Sequence, residues 1–255
     1  MPGEDAPILF HDPTSEPSRA VHWFALAAGI PLAVEHVWLT RDEHLGARFL
    51  EVNPRHQVPA LQHGEFRLSE ATAIIRYLAE LNGAAVSWLG GSLRERAWVN
   101  QLLSWYHTNL RLRATLDYLL PVVLMPAYVA KAPPAAADVS DRRRRLGAAL
   151  GEVSRFLGDA EFLGGSRPVV PDVLFASEIS GLDADPERGS YADGLAALDG
   201  WLSRMRTFSG YEASHRPWNA VAAEVRTRLS ARSVRTGSDP GWVAALGERA
   251  VANTD

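Results

Sequence analysis

Apolar and polar residues alternate with one set of periods over the first eighty positions and with another afterwards. Residues 7 to 11, Pro-Ile-Leu-Phe-His, make a short apolar run of strand length. Ala20, Trp23, Phe24 and Ala27 then recur at helical spacing and stop at Gly29, which predicts a helix closed by glycine. Residues 33 to 38 alternate and predict a strand, and residues 42 to 51 predict a second helix. Residues 58 to 62 and 65 to 68 form a predicted hairpin around His63-Gly64. Ala71, Ile74, Ile75 and Leu78 put one apolar face on a helix from Ser69 to Leu81. The order β-α-β-α-β-β-α in about 80 residues points to a compact α/β unit.

The character changes after Asn82-Gly83. Residues 84 to 92 are glycine-rich and carry Trp88, which suits a partly anchored linker. From Leu93 onward the pattern is helical. Trp98, Leu102, Trp105, Leu112, Leu116 and Leu119 predict one stripe on a long helix that Pro121 and Pro126 bend or end. Residues 132 to 138 read as a Pro/Ala loop, and further helices are expected at about 139–158, 172–181, 191–207 and 217–230. The expected division is an α/β domain at 1–83, a linker at 84–92, an all-helical domain at 93–230 and a polar tail at 231–255.

Composition narrows the function classes. With 47% apolar and 22% charged residues in 255, the chain reads as an ordinary globular protein. A net charge of -4 gives no bulk attraction to nucleic acid or to an anionic membrane. The run Arg142 to Arg145 precedes Leu146, Leu150, Val153 and Leu157, so it predicts the solvated first turns of an amphipathic helix. No cysteine is present, which excludes disulfides, thiolate metal sites and a cysteine nucleophile; any thiol chemistry needs a thiol from a small molecule. The histidines show no metal-ligand spacing, and Arg188 occupies the place where a calcium loop through Asp183, Asp185 and Glu187 needs glycine. No glycine-rich phosphate loop, membrane-length apolar run or signal-peptide core is visible, so a cytoplasmic protein is expected. Lys131 is the only lysine among many arginines, which hints at a GC-rich bacterial genome.

Three segments carry a resemblance: Ile8 to Val21, Asn53 to Leu61 with Leu68 to Leu78, and Trp105 to Arg111. Together they resemble the theta-class glutathione transferases. The resemblance implies a thioredoxin-like front domain and an all-helical rear domain, glutathione as co-substrate, a hydrophobic electrophile as acceptor and a homodimer. A free thiol has a pKa near 8.5, so forming the thiolate two units lower needs about 2.7 kcal/mol of stabilisation. The resemblance implies that Ser15 supplies part of it by donating to sulfur, and a helix N-terminus adds to it. Ser15 precedes Glu16-Pro17 and also fits a plain helix cap, and Thr14 is a second hydroxyl beside it.

The same resemblance implies that Pro59 is the cis-proline that turns the Val58 backbone toward a peptide-like ligand. It implies that Glu70 meets the glutathione amino group while the following helix N-terminus holds the γ-glutamyl carboxylate. Ala71 departs from the pattern, because a hydroxyl is usual there; Thr72 is a substitute. A non-catalytic protein, or one using another thiol, is therefore the alternative. His44 and Gln57 are implied glutathione contacts. Arg111 is implied to line the cleft between the domains, with His107 four residues earlier; a salt bridge is the other reading of Arg111. The acceptor is expected between Tyr106, Arg111, Leu119 and the C-terminal helices. Val169 stands where the family has a hydroxyl in a capping box with Asp172.

Overall fold

The computed structural model describes residues 6–129, 132–191 and 195–230. Strand β1 (Ile8–His11), helix α1 (Glu16–Ala28) and strand β2 (Ala33–His36) form a parallel crossover unit. Strands β3 (Ala60–His63) and β4 (Phe66–Ser69) add an antiparallel hairpin, giving one sheet of order β2-β1-β3-β4. Side chains alternate across β1 and divide it between two cores. Leu9 joins the main core under α1, whereas Phe10 joins Val37, Phe49, Val52 and Ala60 on the other face. Helix α1 closes at Gly29, whose φ of 66° lets its N–H cap the Ala25 and Leu26 carbonyls.

Two sequence expectations shift here. The helix expected at 42–51 breaks into single turns at Leu39–Arg41 and Glu43–Leu45 and a short helix α2 (Ala47–Val52), because Asp42 is left-handed and Gly46 is extended. The strand expected from residue 58 starts at Ala60, since Pro59 has no N–H to give to a ladder. Helix α3 (Ala71–Leu81) covers the sheet with Ile74, Ile75 and Leu78 fully buried.

Residues 84–92 contain a short helix α4 (Ala85–Leu89), and the Trp88 ring stands edge-on to Phe24 at 5.3 Å and Phe208 at 6.0 Å. Helix α5 (Leu93–Thr108) starts with a complete capping box, Ser92 accepting from the Glu95 N–H and Glu95 from the Ser92 N–H. The expected long stripe does not continue. Leu112–Leu124 winds as a wider π-helix, which the Met125 N–H closes on the Leu120 carbonyl. The change of pitch leaves Leu116 about half exposed while Leu119 is fully buried. Pro121 lies inside this segment. In an α-helix the Asp117 carbonyl would face proline's missing N–H; here it accepts from Arg142.

That contact corrects the reading of the arginine run. The helix carrying it, α7 (Ala136–Leu157), follows α6 (Met125–Val129) and starts earlier than expected, so the run lies beyond its first turn. Arg142 and Arg145 grip Asp117, and Arg143 donates to the Tyr118 hydroxyl at 3.0 Å. Only Arg144 is exposed. The remaining helices are α8 (Val170–Gly181), α9 (Asp199–Thr207) and α10 (Tyr211–Ser230). Single turns at Leu182–Ala184 and Arg188–Tyr191 follow α8, and the helix expected from 191 corresponds to α9, which begins at Asp199. Helix α10 begins six residues before Pro217, because Tyr211, Ser214 and His215 are buried and the Tyr211 and His215 rings meet Trp23 of α1. The tail expected at 231–255 lies outside the described residues.

One apolar core runs from Leu9 to Val225 through both parts. Helix α1 is its axis and packs against α3, α8 and α10. The Trp23 indole donates to the Ser209 carbonyl at 2.9 Å, so the α/β unit and the helical part are locked by polar as well as apolar contacts.

Candidate active site

Ser15 stands at the N-terminus of α1, where its β-region backbone (φ −83°, ψ 122°) is that of a cap. Its hydroxyl makes no capping hydrogen bond. The neighbouring Thr14 hydroxyl donates to Asp12 Oδ1 at 2.7 Å, and Asp12 is fixed further by the N–H groups of Thr14 and Leu39 at 2.7 and 2.8 Å. Of the two candidate hydroxyls, one is therefore tied up and the other faces open space. That space is two adjoining cavities, of about 360 and 590 Å³, which share Ser15, Leu39 and Arg111 on their walls.

The smaller cavity collects most of the expected thiol-binding residues. His44, Gln57, Val58, Pro59, Glu70 and Ala71 all line it, and the Val58-Pro59 bond is cis. Ala71 is buried at the first turn of α3, whose N–H groups open toward this cleft. Glu70 has φ 73°, an uncommon left-handed backbone for a non-glycine residue, and its carboxylate pairs with Arg55. Ser69, Asn53, Arg55, His56 and Leu39 also stand on this wall and were not singled out in the sequence. Asn53 braces the loop by donating to the Gln57 carbonyl at 2.6 Å. Thr72 does not line the cleft; its hydroxyl faces His107 Nε2 of α5 at 3.4 Å. The cleft carries Arg55, paired with Glu70, and Arg111, paired with Glu178, together with the imidazoles of His44, His56 and His107.

The larger cavity lies between the loop after β2, the π-helical segment, α6 and α10. Leu120, Leu124, Met125, Tyr128 and Trp218 supply its apolar wall, and Thr14, Thr40 and Thr115 contribute hydroxyls. Leu119, expected to touch the acceptor, is instead fully buried in the core and lines neither cavity, because the π-helical pitch turns it inward. Tyr106 is 1% exposed and borders only the smaller cavity.

Arg111 joins both roles weighed for it in the sequence. It borders both cavities, and its guanidinium lies 3.1 Å from buried Glu178 and 3.9 Å from Glu16. Burial works against its charge, yet Glu178, Tyr106 and Glu16 hold the guanidinium above its ordinary pKa. Glu178 also accepts from the Tyr106 hydroxyl at 2.5 Å and from the Thr115 hydroxyl. Neither Glu16 nor Glu178 was found in the sequence. A glutamate on a helix reads as solvated, and the partners are more than sixty residues apart.

Arg19 is a second buried guanidinium. It donates to the Pro13 and Thr14 carbonyls at 3.1 and 2.9 Å, reaches the Ser177 carbonyl and Ser180 hydroxyl of α8 at 3.4 and 3.3 Å, and lies 4.7 Å from the Trp218 ring centroid. It thus holds the turn that carries Ser15 against the helical part. Asp172 of α8 performs its half of the expected capping box by accepting from the Val169 N–H at 2.8 Å; Val169 has no side-chain acceptor to return. Asp172 accepts in addition from the Leu163 N–H and the Trp201 indole, both at 2.8 Å. Among the described residues no group of three or more His, Cys, Asp or Glu is arranged to hold a metal ion, and no helix is long and apolar enough to cross a membrane.

A thioredoxin-like sheet with a cis-proline, a free serine hydroxyl at a helix N-terminus and an all-helical second part define a glutathione-transferase type of protein. Residues 9–85 match the family model for the glutathione S-transferase N-terminal domain. The rat glutathione S-transferase theta-2 is 32% identical over 215 residues, 84% of this chain and 86% of its own. The human theta-2 enzyme is 30% identical over 242 residues, 93% of this chain and 96% of its own. The solved apo form of human glutathione-S-transferase T1-1 superposes with a TM-score of 0.78 at 27% identity, covering 98% of this chain and all of that one. The solved human theta-2 structure in complex with glutathione and an unknown ligand has a TM-score of 0.76 at 27% identity, covering 96% and 99%. The chain belongs to the theta class of the glutathione S-transferases.

Proposed function

We propose that the protein joins glutathione to a small hydrophobic electrophile, with the thiol in the smaller cavity, the acceptor in the larger one and Ser15 between them. Glutathione as co-substrate and transferase chemistry follow from the class. The observation that carries the residue assignment is the Ser15 hydroxyl: it borders both cavities at the positive end of a 13-residue helix and is spent on no cap. Donated to sulfur, it lowers the thiol pKa and raises the thiolate fraction at neutral pH. The N-terminus of α3, Ser69 and Glu70 are the proposed seat of the γ-glutamyl group, the Val58 backbone that of the cysteinyl unit, and His44 and Gln57 that of the glycyl end. Arg111 is proposed to supply positive charge where an anionic leaving group departs, anchored for that by Glu178.

Titration of the purified protein with glutathione, followed by heat of binding and by thiolate absorbance, tests this reading. Ser15→Ala removes one hydrogen bond to a charged atom, about 1.5–3 kcal/mol, and should raise the bound thiol's pKa by roughly 1–2 units with little loss of affinity. No binding at millimolar glutathione, or an undiminished thiolate signal in Ser15→Ala, refutes it. Ala71→Ser should tighten binding, since it restores a hydroxyl at the first turn of α3. A homodimeric, cytoplasmic and bacterial enzyme completes the proposal, and light scattering on the eluting protein checks the first of these.

A further inference from the structure

Beneath Ser15 the two parts of the chain bury a cluster of charges: Asp12, Glu16 and Arg19 from one side, Arg111 and Glu178 from the other. Asp12, Glu16, Arg19 and Glu178 are each at most 5% exposed. Three carboxylates face two guanidiniums, so full ionisation would leave an uncompensated negative charge out of water. Charge balance therefore favours a proton on one of the buried carboxyls. Asp12 accepts three hydrogen bonds, and Glu178 accepts from Tyr106, Thr115 and Arg111. Among the described residues Glu16 is held by its own backbone N–H and by the charges of Arg19 and of Arg111, the latter at 3.9 Å, with no other side-chain hydrogen bond. It is also the one carboxyl of the three on a cavity wall, next to Ser15 in the acceptor cavity. Its position depends on Gly181 of α8, where an added Cβ would lie 2.9 Å from Glu16 Oε1.

On the reading of the two cavities given above, we propose that Glu16 is a catalytic proton donor in the acceptor cavity, serving electrophiles whose leaving oxygen stays on the product. As sulfur attacks a carbon of a strained cyclic ether, the C–S bond forms and the C–O bond breaks with its electron pair moving to oxygen. Glu16 gives its proton to that oxygen. The thiol proton released when the next glutathione ionises restores Glu16, so thiol plus ether equals hydroxy thioether. Burial, and next the Glu178 charge, push the Glu16 carboxyl up, and Arg19 and Arg111 draw it down by less; Tyr106 and Tyr128 are the remaining titratable groups facing it. The proton is thus retained to higher pH than on an ordinary carboxyl, which general acid catalysis requires.

Styrene oxide and benzyl chloride share a phenyl ring and differ in the fate of the leaving atom, since chloride needs no proton. Their kcat/KM values should be compared, with glutathione, for the full chain, Glu16→Gln and Glu16→Asp. Glu16→Gln, which keeps the shape, should lower the styrene oxide to benzyl chloride ratio by roughly 100-fold, and Glu16→Asp should restore part of it. In the unaltered protein, styrene oxide turnover should fall on the alkaline side at a pH where benzyl chloride turnover does not, a measurement that stands even if a variant does not fold. A ratio unchanged within about threefold, coincident pH profiles, or turnover of benzyl chloride alone overturns the role of Glu16 while leaving the transferase reading intact. A protein that forms no thiolate and converts neither acceptor overturns both.

Discussion

Replacing Arg19 by methionine tests whether the turn carrying Ser15 is held by a single buried guanidinium. Methionine fills a similar volume without donors. The Pro13 and Thr14 carbonyls, now bonded at 3.1 and 2.9 Å, would each lose a charged donor in a buried setting, at about 1–3 kcal/mol apiece. Glu16, Glu178 and Asp12 would also lose a compensating charge. Both routes converge on about 3–5 kcal/mol, the range for removing one partner of a buried ionic cluster. For a chain of this length that is a fall in Tm of roughly 6–20 °C. Thermal unfolding followed by circular dichroism reads it directly. Glutathione titration of the folded fraction reads the second consequence, a weaker thiolate signal, because Ser15 follows the two released carbonyls. Arg19→Lys keeps the charge but loses the fork that serves the turn and α8 together, so it should fall between the two. An Arg19→Met protein within about 2 °C of the parent, with an unaltered thiolate signal, would refute the reasoning.

Other perturbations have equally definite outcomes. His22 packs against the buried ring of His11 at 5.2 Å, and burial followed by the His36 charge lowers its pKa from 6.5 to about 4. The neutral ring therefore contributes stability that is complete above pH 6.5 and is lost as pH falls toward 4, at most about 3 kcal/mol; His22→Gln should flatten the unfolding free energy across that window, and an equal slope in both proteins would count against it. Asp172 behaves oppositely: burial raises it to about 6 against its bonds from Leu163, Val169 and Trp201, so its contribution is complete below about pH 4 and declines as pH rises through 6. Asp172→Asn turns an amide NH₂ toward a buried N–H and should cost about 1–3 kcal/mol, read as a lowered denaturant midpoint.

Much of the fold was legible because its signals are local. The glycine that ends α1, the His63-Gly64 hairpin and the apolar face of α3 each rest on neighbouring residues and came out within a few positions. The lining of the smaller cavity was legible for the same reason, since much of it comes from residues 53–61 and 68–78, two short contiguous stretches. What was missed depends on pitch or on distance along the chain. Leu116 and Leu119, placed on one stripe by a period of 3.6, part company because the backbone runs wider there. The arginines at 142–145 looked solvated, yet Arg142 donates to the Asp117 carbonyl, and with Arg145 pairs with the Asp117 carboxylate, more than twenty residues earlier. Glu16 and Glu178 become interpretable only once α1 and α8 are packed together, and no spacing rule brings them together beforehand.

The π-helical wall bears on how such an enzyme changes over time. A turn of this kind holds more residues than an α-turn, so deleting one residue between Leu112 and Leu124 would tighten it without breaking the chain path at either end. Side chains from the deletion to the end of the tightened turn would change facing, and those beyond it would keep theirs. Leu120 and Leu124, which now line the larger cavity, would change places with neighbours wherever the deletion falls within their turn. A single codon loss would then alter part of the larger cavity's wall, while the smaller cavity, which takes only Leu116 from this segment, would keep most of its own. On the proposed assignment of the two cavities, electrophile preference is therefore separable by genetic length, not only by substitution, from the residues proposed to prepare the sulfur.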